Sequence, residues 1–244
     1  MDVISGIHAV EEALKARGRA FEYVAVDKSR KDARLHKILT MAREQGVAVR
    51  MEPRPQLDRM AQGENHQGVV AVVSEKKYVD LQDLIDRKRG EYSFLVALDG
   101  VEDPHNLGAI MRTADAAGAD GIVLPERRAV GVNATVVKVS AGAAEHLPVA
   151  KVTNLSRAVE EMKEKNIWTV GLDERGQQSY EKLDYKMDCA FVLGAEGHGL
   201  HEKIREKCDF LISIPMLGKV SSLNVSVAAG VVMYELVRQR KAGK

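Results

Sequence analysis

The chain of 244 residues has little cysteine, few aromatic residues and no long apolar run. Its two cysteines, Cys189 and Cys208, have neither the density of a disulfide framework nor the spacing of a metal site, so we expect both to be core thiols. No apolar run approaches the roughly 18 residues that cross a bilayer, and the first segment carries acids where a signal peptide needs bases. These absences predict a cytoplasmic protein with no membrane span and no metal centre.

Charge of one sign is also lacking overall, because the formal net charge is only +1. The distribution is uneven, however. Between Lys15 and Arg54 eleven basic side chains stand against five acidic ones. Such a cluster is the footprint of a phosphate-binding face, but a solvated helix surface accounts for it equally well. The local excess alone does not decide between the two.

The pattern of apolar residues predicts two domains. Residues 3 to 73 alternate short amphipathic helices with strand-like runs, which predicts a small α/β domain over residues 1–75. Residues 76–92 are strongly charged and form the predicted linker. From residue 93 to 244, near-continuous apolar strands alternate with helices, which is typical of a parallel sheet covered on both faces. Ligands of such sheets bind at the carboxyl ends of strands, so the loops after Val101, Gly171, Leu193 and Pro215 are the candidate site.

The first of these loops leads into the segment NLGAIMR. Asn106 fits a helix cap, since its side chain can accept hydrogen bonds from the free amides of a first helical turn. Arg112 follows three apolar residues in an otherwise apolar helix. An arginine in that setting usually has an anionic or carbonyl partner, which makes Arg112 a candidate for a functional role.

The two later loops are rich in glycine and in small polar residues. The segment FVLGAEGHGL lacks the dinucleotide-binding fingerprint, and its Glu196 fits either a helix cap or a ligand contact. In the segment ISIPMLGKVSSLN, Ser222 and Asn224 again fit helix caps. The helix that follows is apolar around most of its circumference, which predicts that it is buried in the domain or in the interface of a dimer.

Three segments carry a resemblance to a known family. NLGAIMRTADAAGADGIVL, FVLGAEGHGL and ISIPMLGKVSSLNVSVAAGVVMYEL resemble, in order and spacing, the signature motifs of the SpoU (TrmH-like) RNA ribose 2′-O-methyltransferases of the SPOUT superfamily. The resemblance implies a parallel-sheet SPOUT domain with a C-terminal trefoil knot, preceded by a small α/β RNA-binding domain. HQGVVAVV and VKVSAGAAEHLPVAKVTNL are similar to the branch that methylates a guanosine of 23S ribosomal RNA.

The resemblance also implies a cofactor and a set of site residues. The cofactor is S-adenosylmethionine, and a homodimer completes the site. The residues that match the family's functional positions are Asn106, Arg112, Glu196, Ser222 and Asn224. The implied cofactor contacts are Gly171, Leu193, Gly194, Gly197, Ile214, Met216 and Leu223.

The chemistry leaves several alternatives open. Guanidinium stays protonated in proteins, so we expect Arg112 to bind the phosphate beside the target ribose, with phosphate oxygen, Glu196 or water accepting the proton. His66, His105 and His198 are expected to have no catalytic role. Competing functions are methylation of a transfer RNA ribose and a non-catalytic RNA-binding assembly factor. A nicotinamide-dependent oxidoreductase is disfavoured by the missing fingerprint.

Overall fold

The computed structural model describes residues 1–195 and 199–242, which divide into two compact units. The first unit contains Met1–Lys77 together with Val132–His146, and the second contains Tyr78–Gly131 and the chain from Leu147 onward. The segment 132–146 lies in the part of the sequence that we assigned to the second domain. It packs instead with the amino-terminal unit.

The first unit is a four-stranded mixed sheet with helices. Its elements are β1 (Asp2–Ser5), α1 (Ile7–Ala16), β2 (Phe21–Asp27), α2 (Ala33–Glu44), β3 (Val49–Glu52), α3 (Arg54–Met60) and β4 (Val69–Val73), with α6 (Ala134–Val139) and α7 (Ala143–His146) from the later segment. The strand order is β1-β4-β2-β3, and only β2 and β3 run parallel. Consecutive apolar residues of β2 and β4 are buried, so both faces of these strands are covered.

Buried polar contacts attach the segment 132–146 to the first unit. Both side chains of the Arg19–Glu145 ion pair are 1% exposed, and Arg19 Nη2 lies 2.9 Å from Glu145 Oε1. Arg19 also donates to Asp2 at 2.6 Å. Separating the two partners would leave an uncompensated buried charge, so this ion pair opposes detachment of the segment 132–146 from the first unit.

The second unit is built on a parallel sheet. Its elements are α4 (Leu81–Ile85), β5 (Phe94–Asp99), α5 (Pro104–Ala116), β6 (Gly121–Pro125), β7 (Val149–Val152), α8 (Leu155–Glu164), β8 (Trp168–Leu172), β9 (Gln178–Ser179), β10 (Cys189–Gly194), α9 (Glu202–Arg205), β11 (Phe210–Ser213) and α10 (Val225–Lys241). The strand order over the described residues is β7-β6-β5-β10-β8-β11-β9, with every pair parallel. The predicted α/β fold with a parallel sheet is confirmed.

Apolar residues explain why these strands lie inside. Every residue of β5 and β10 is buried, as expected of strands covered on both faces. Leu95, Ala97 and Val192 pack towards α8, whereas α5 and α10 pack against each other. All strands therefore end at one edge of the sheet, and the loops from that edge come together.

Candidate active site

A cavity of about 620 Å³ lies at the carboxyl edge of the second unit's sheet. Its wall is made by residues 172–175 at the end of β8, by 193–195 and Gly199 at the end of β10, and by the segment after β11 that leads into α10. Ligand sites for small molecules have volumes of roughly 300 to 1,000 Å³ and mix apolar walls with a few polar groups. The predicted position of the site at strand ends thus coincides with a cavity of suitable size.

Most of the residues proposed as cofactor contacts line this cavity. Leu193, Gly194, Ile214, Met216 and Leu223 all belong to its wall, and Ser222 lies beside them. Gly197 and Glu196 lie outside the described residues.

Gly171 is oriented differently. A Cβ on this residue would lie 2.8 Å from Leu200 Cδ1 and 2.9 Å from Leu211 Cδ2, so its side-chain position points into apolar packing. Gly171 is not part of the cavity wall, whereas the next residue, Leu172, is. A cofactor contact by Gly171 stays a prediction.

Gly194 allows the chain to turn back on itself at the cavity. A Cβ on Gly194 would lie 2.1 Å from the carbonyl carbon of Gly199 and 2.4 Å from the Leu200 nitrogen. Gly199 has a φ of +64° and donates to the Ala195 carbonyl at 3.0 Å. The backbone segments at Gly194 and Gly199 are thus in close contact, and only glycine fits at position 194. A ligand in the cavity can reach the peptide groups of this wall.

An amide pair joins the first predicted loop to the third. Asn224 Nδ2 donates to Asn106 Oδ1 at 3.0 Å. Asn224 Oδ1 also accepts from the backbone nitrogen of Ser226 at 2.9 Å, so Asn224 caps α10 as its residue type predicts. Helix α5 is capped by Asp103 instead, which leaves the buried Asn106 amide to contact Asn224.

Arg112 lies on the exposed side of α5. The buried face of this helix is formed by Leu107, Ile110, Met111 and Ala114. Within residues 1–195 and 199–242, the Arg112 side chain forms no hydrogen bond or ion pair, so the partner expected from the sequence is absent from the described chain. Its guanidinium is available to an external anion.

Asp173 and Arg175 also line the cavity, and the sequence analysis did not propose them. Asp173 is buried and accepts from Arg175 Nε at 2.8 Å and Nη2 at 3.1 Å. Burial works to raise the pKa of Asp173, but the hydrogen bonds from Arg175 outweigh it and the pKa is lowered. Asp173 could have been proposed from the sequence, because it directly follows the apolar strand β8 at the predicted carboxyl edge.

No group of three or more side chains that could hold a metal ion occurs in residues 1–195 and 199–242. None of the helices there has the length and apolar character needed to span a bilayer.

Two family models match the chain. The model of the SpoU rRNA methylase family matches residues 93–234, and a model described as RNA 2′-O ribose methyltransferase substrate binding matches residues 3–79. The first match contains the whole cavity wall. The second contains most of the amino-terminal unit.

Named relatives are similar over nearly the full length. A Bacillus subtilis protein named as a TrmH-family tRNA/rRNA methyltransferase, YacO, is 48% identical over 98% of this chain and 96% of its own. The 23S rRNA (guanosine-2′-O-)-methyltransferase RlmB of Bordetella pertussis is 45% identical over 98% of both chains. The SpoU methyltransferase AviRb from Streptomyces viridochromogenes, in complex with the cofactor AdoMet, superposes with a TM-score of 0.81 at 28% identity. That superposition covers 99% of this chain and 91% of AviRb.

Proposed function

The chain belongs to the SpoU rRNA methylase family, and on that premise we propose that it methylates a ribose 2′-hydroxyl of a guanosine in 23S ribosomal RNA with S-adenosylmethionine. The observation that carries the proposal is the cavity whose wall contains Leu193, Gly194, Ile214, Met216 and Leu223. The name of the Bordetella relative supports the choice of RNA and nucleotide. We expect the protein to act in the cytoplasm, where ribosomal RNA is made and assembled.

The cavity suits S-adenosylmethionine in size and chemistry. Apolar side chains such as Leu193 and Leu223 can contact a purine, and the peptide groups around Gly194 can recognise its polar edge. The carboxylate of Asp173 and the hydroxyl of Ser222 offer polar contacts. When bound, S-adenosylmethionine supplies an electrophilic methyl group on a sulfonium sulfur. What remains for the protein is to orient the ribose.

Arg112 is the proposed contact to RNA beside the reacting ribose. Its guanidinium is exposed, carries a fixed positive charge and can bind a phosphate through two parallel hydrogen bonds. Holding the attacking hydroxyl in line with the methyl group would supply much of the rate in such a displacement. The proton then passes to a phosphate oxygen, to Glu196 or to water, since arginine does not act as a base.

Asn224 and Asn106 have a supporting role in this proposal. Their amides are hydrogen-bonded to each other, which ties the start of α10 to the start of α5, the helix that carries Arg112. Ser222 lies two residues before the cap and lines the cavity. We therefore expect Asn224 to position the helix ends, and Ser222 to contact a bound ligand directly.

The amino-terminal unit supplies the proposed RNA-binding surface. Several of its basic residues are already paired within the unit, namely Lys15, Arg19, Arg30 and Lys37. Arg34, Arg43 and Arg54 are exposed and form no ion pair among the described residues, and Arg50 stacks on the ring of Tyr23 at 3.6 Å. These unpaired cations are the ones expected to bind phosphates.

A homodimer is part of the proposal, as is the trefoil knot that the family resemblance implies. Val227 and Tyr234 lie seven residues apart on α10 and are 53% and 52% exposed. Leu217 and Val220, in the segment before α10, are 98% and 70% exposed. Together they leave apolar surface beside the cavity, which is typical of a protein interface.

The test is transfer of labelled methyl from S-adenosylmethionine to 23S ribosomal RNA and to bulk transfer RNA, with mass spectrometric mapping of the product. The protein is compared with Arg112→Ala and with Arg157→Ala, a control at an exposed position on α8. We expect one ribose-methylated guanosine in 23S RNA for the protein and the control, and a loss of at least about 100-fold for Arg112→Ala.

Each other outcome has a defined meaning. Labelling of transfer RNA alone would keep the chemistry but overturn the substrate, a possibility raised by the name of the Bacillus relative. Tight RNA binding without methyl transfer to either RNA would favour an assembly factor and overturn the enzymatic proposal.

A further inference from the structure

Asp99 and His201 form a contact at the carboxyl edge that none of the family positions discussed above includes. Asp99 is the last residue of β5 and is buried. Its Oδ2 accepts from the backbone nitrogen of His201 at 2.8 Å, and its Oδ1 lies 2.9 Å from His201 Nδ1. Because a carboxylate only accepts, Nδ1 carries the hydrogen in this contact. One buried carboxylate thus holds both the backbone and the ring of a single residue.

The contact between Asp99 and His201 fixes the backbone next to Gly199, which forms part of the cavity wall. Asp99 pairs in register with Gly194, the last residue of β10, so the two strands end side by side. Ala195 follows the last residue of β10, and the Gly199 nitrogen donates to the Ala195 carbonyl. Leu200 then enters the apolar core, and His201 reaches Asp99. Gly194 and Ala195 are therefore held by β10. Gly199 is held by Asp99, through Leu200 and His201.

The ring of His201 also connects this turn to the first loop. A Cβ on Gly100, which has a φ of +81°, would lie 3.4 Å from Ala195 Cβ and 3.7 Å from His201 Cε1. The ring therefore packs over the backbone that leads from β5 towards Asn106 and Arg112. A change at His201 is transmitted to the backbone on both sides of the strand ends.

We propose that Asp99 and His201 are positioning residues that hold Gly194, Ala195 and Gly199 in the conformation that binds the cofactor. The inference rests on the proposed function, since it takes the ligand of this cavity to be S-adenosylmethionine. Neither side chain belongs to the cavity wall, whereas all three turn residues do. The pair acts through the backbone that it fixes.

The ring geometry gives a selective test. His201→Asn places an amide nitrogen near the position of Nδ1 and can donate to Asp99, whereas His201→Gln places its amide near the position of Nε2 and cannot. His201→Ala removes the ring but keeps the backbone bond. The histidine side chain is 53% exposed, so these variants should fold, which a thermal melt would verify. Lys203→Ala, at an exposed position two residues along, is the matched control.

The measurements are the dissociation constant of S-adenosylmethionine by calorimetry and the single-turnover rate of RNA methylation at saturating cofactor. For His201→Ala and His201→Gln we expect the dissociation constant to rise about tenfold or more, as for loss of a hydrogen bond to a charged group. The saturated rate should stay within about threefold, because the defect lies in the shape of the binding site. For His201→Asn the affinity should stay within about threefold of the unmodified protein, and Lys203→Ala should not change it.

Two results would overturn the inference. One is an unchanged affinity in His201→Ala; the other is equal affinity for the asparagine and glutamine variants. A fall in the saturated rate without a change in affinity would also contradict it, because that would make His201 a participant in the reaction. If the unmodified protein itself binds no S-adenosylmethionine, the proposed function fails instead, so the two failures are distinguishable.

Discussion

The two edges of the parallel sheet in the second unit both bury charged groups, but they use them differently. At the amino edge, Asp120 accepts from the backbone nitrogens of Arg89 and Phe94, both at 2.8 Å. Asp209 accepts from the Thr169 nitrogen at 2.9 Å, and Arg240 donates to several carbonyls. At the carboxyl edge, Asp99 and Asp173 instead hold loop residues that flank a cavity.

The difference shows that burial of a charge does not by itself mark a functional site. A buried charge needs partners on either edge, because an unpaired one is costly. Groups at the amino edge satisfy backbone that would otherwise lack partners, so they stabilise the fold. Groups at the carboxyl edge stabilise loops whose exposed sides remain open to a ligand. Substitutions on the two edges should therefore separate stability from binding.

The largest expected effect comes from Arg240 at the amino edge. Its guanidinium donates to the carbonyls of Tyr185, Tyr92, Ser93 and Met187 at 2.7 to 3.1 Å. Arg240→Ala should lower the free energy of unfolding by about 3 kcal/mol or more, since it leaves several carbonyls without donors. Urea denaturation measures this. The affinity of the folded variant for S-adenosylmethionine should stay within about twofold.

Arg238→Ala is the control for that substitution. Arg238 lies on the same helix and is 65% exposed, and its partner Glu235, which is 9% exposed, also accepts a hydrogen bond from Gln239. Removing it should cost less than about 1 kcal/mol. Equal destabilisation by both variants would contradict the assigned role of the amino edge.

Gly194→Ala should have the largest effect on binding. The added methyl would fall on the Gly199 backbone, which cannot move without reshaping the cavity wall. We expect the affinity for S-adenosylmethionine to fall at least about 100-fold, as measured by calorimetry. Gly90→Ala, where nothing lies closer than 4.0 Å to the new methyl, should leave affinity unchanged. Tight binding by Gly194→Ala would mean that the ligand site lies elsewhere.

Asn224 separates capping from the contact between the loops. Asn224→Asp keeps an oxygen that caps α10 but loses the donor to Asn106. It should retain stability within about 0.5 kcal/mol while methyl transfer falls about tenfold. Asn224→Ala should lose both the cap of α10 and the contact with Asn106. Its free energy of unfolding should fall further, by about 1 kcal/mol, as measured in a thermal or urea melt. Full activity of the aspartate variant would show that the amide pair is dispensable.

The smallest expected effect concerns pH. The pKa values of Asp173 and Asp209 are both lowered, because their hydrogen bonds outweigh burial, which works to raise them. A lowered carboxyl pKa stabilises the folded state above the ordinary value of 3.8, and this stability is lost as pH falls through the lower folded value. The stability advantage of the protein over Asp173→Asn or Asp209→Asn should therefore shrink in acid melts. At neutral pH only Asp173→Asn should weaken cofactor binding.

Several of the predicted site residues line the cavity, and their position there depends on where strands end. Leu193 and Gly194 are the last two residues of β10, and Ile214 and Met216 follow β11. The carboxyl ends of parallel strands must meet at one edge of the sheet. Glycine at Gly194 was also informative, because close backbone contact excludes any side chain there. The fold class followed from the same continuous apolar runs.

Other features depend on which way a residue faces, and the sequence carries little information about that. In β8 both faces are covered, so period-two patterning could not tell that Gly171 points into the core while Leu172 lines the cavity. Arg112 follows apolar neighbours, yet the helical period places it on the exposed face of α5. The segment 132–146 joins the amino-terminal unit through a buried ion pair between residues 126 positions apart in the chain. Such long-range pairing leaves no local signal.

The most direct test of the account is backbone amide hydrogen exchange with and without S-adenosylmethionine. If the carboxyl edge of the second unit holds the cofactor, protection should appear at residues 193–195 and 213–225 and in the turn after β8, while the amino-edge amides of Phe94 and Thr169 exchange at unchanged rates. Protection that spares those three segments and appears in the amino-terminal unit would contradict the account.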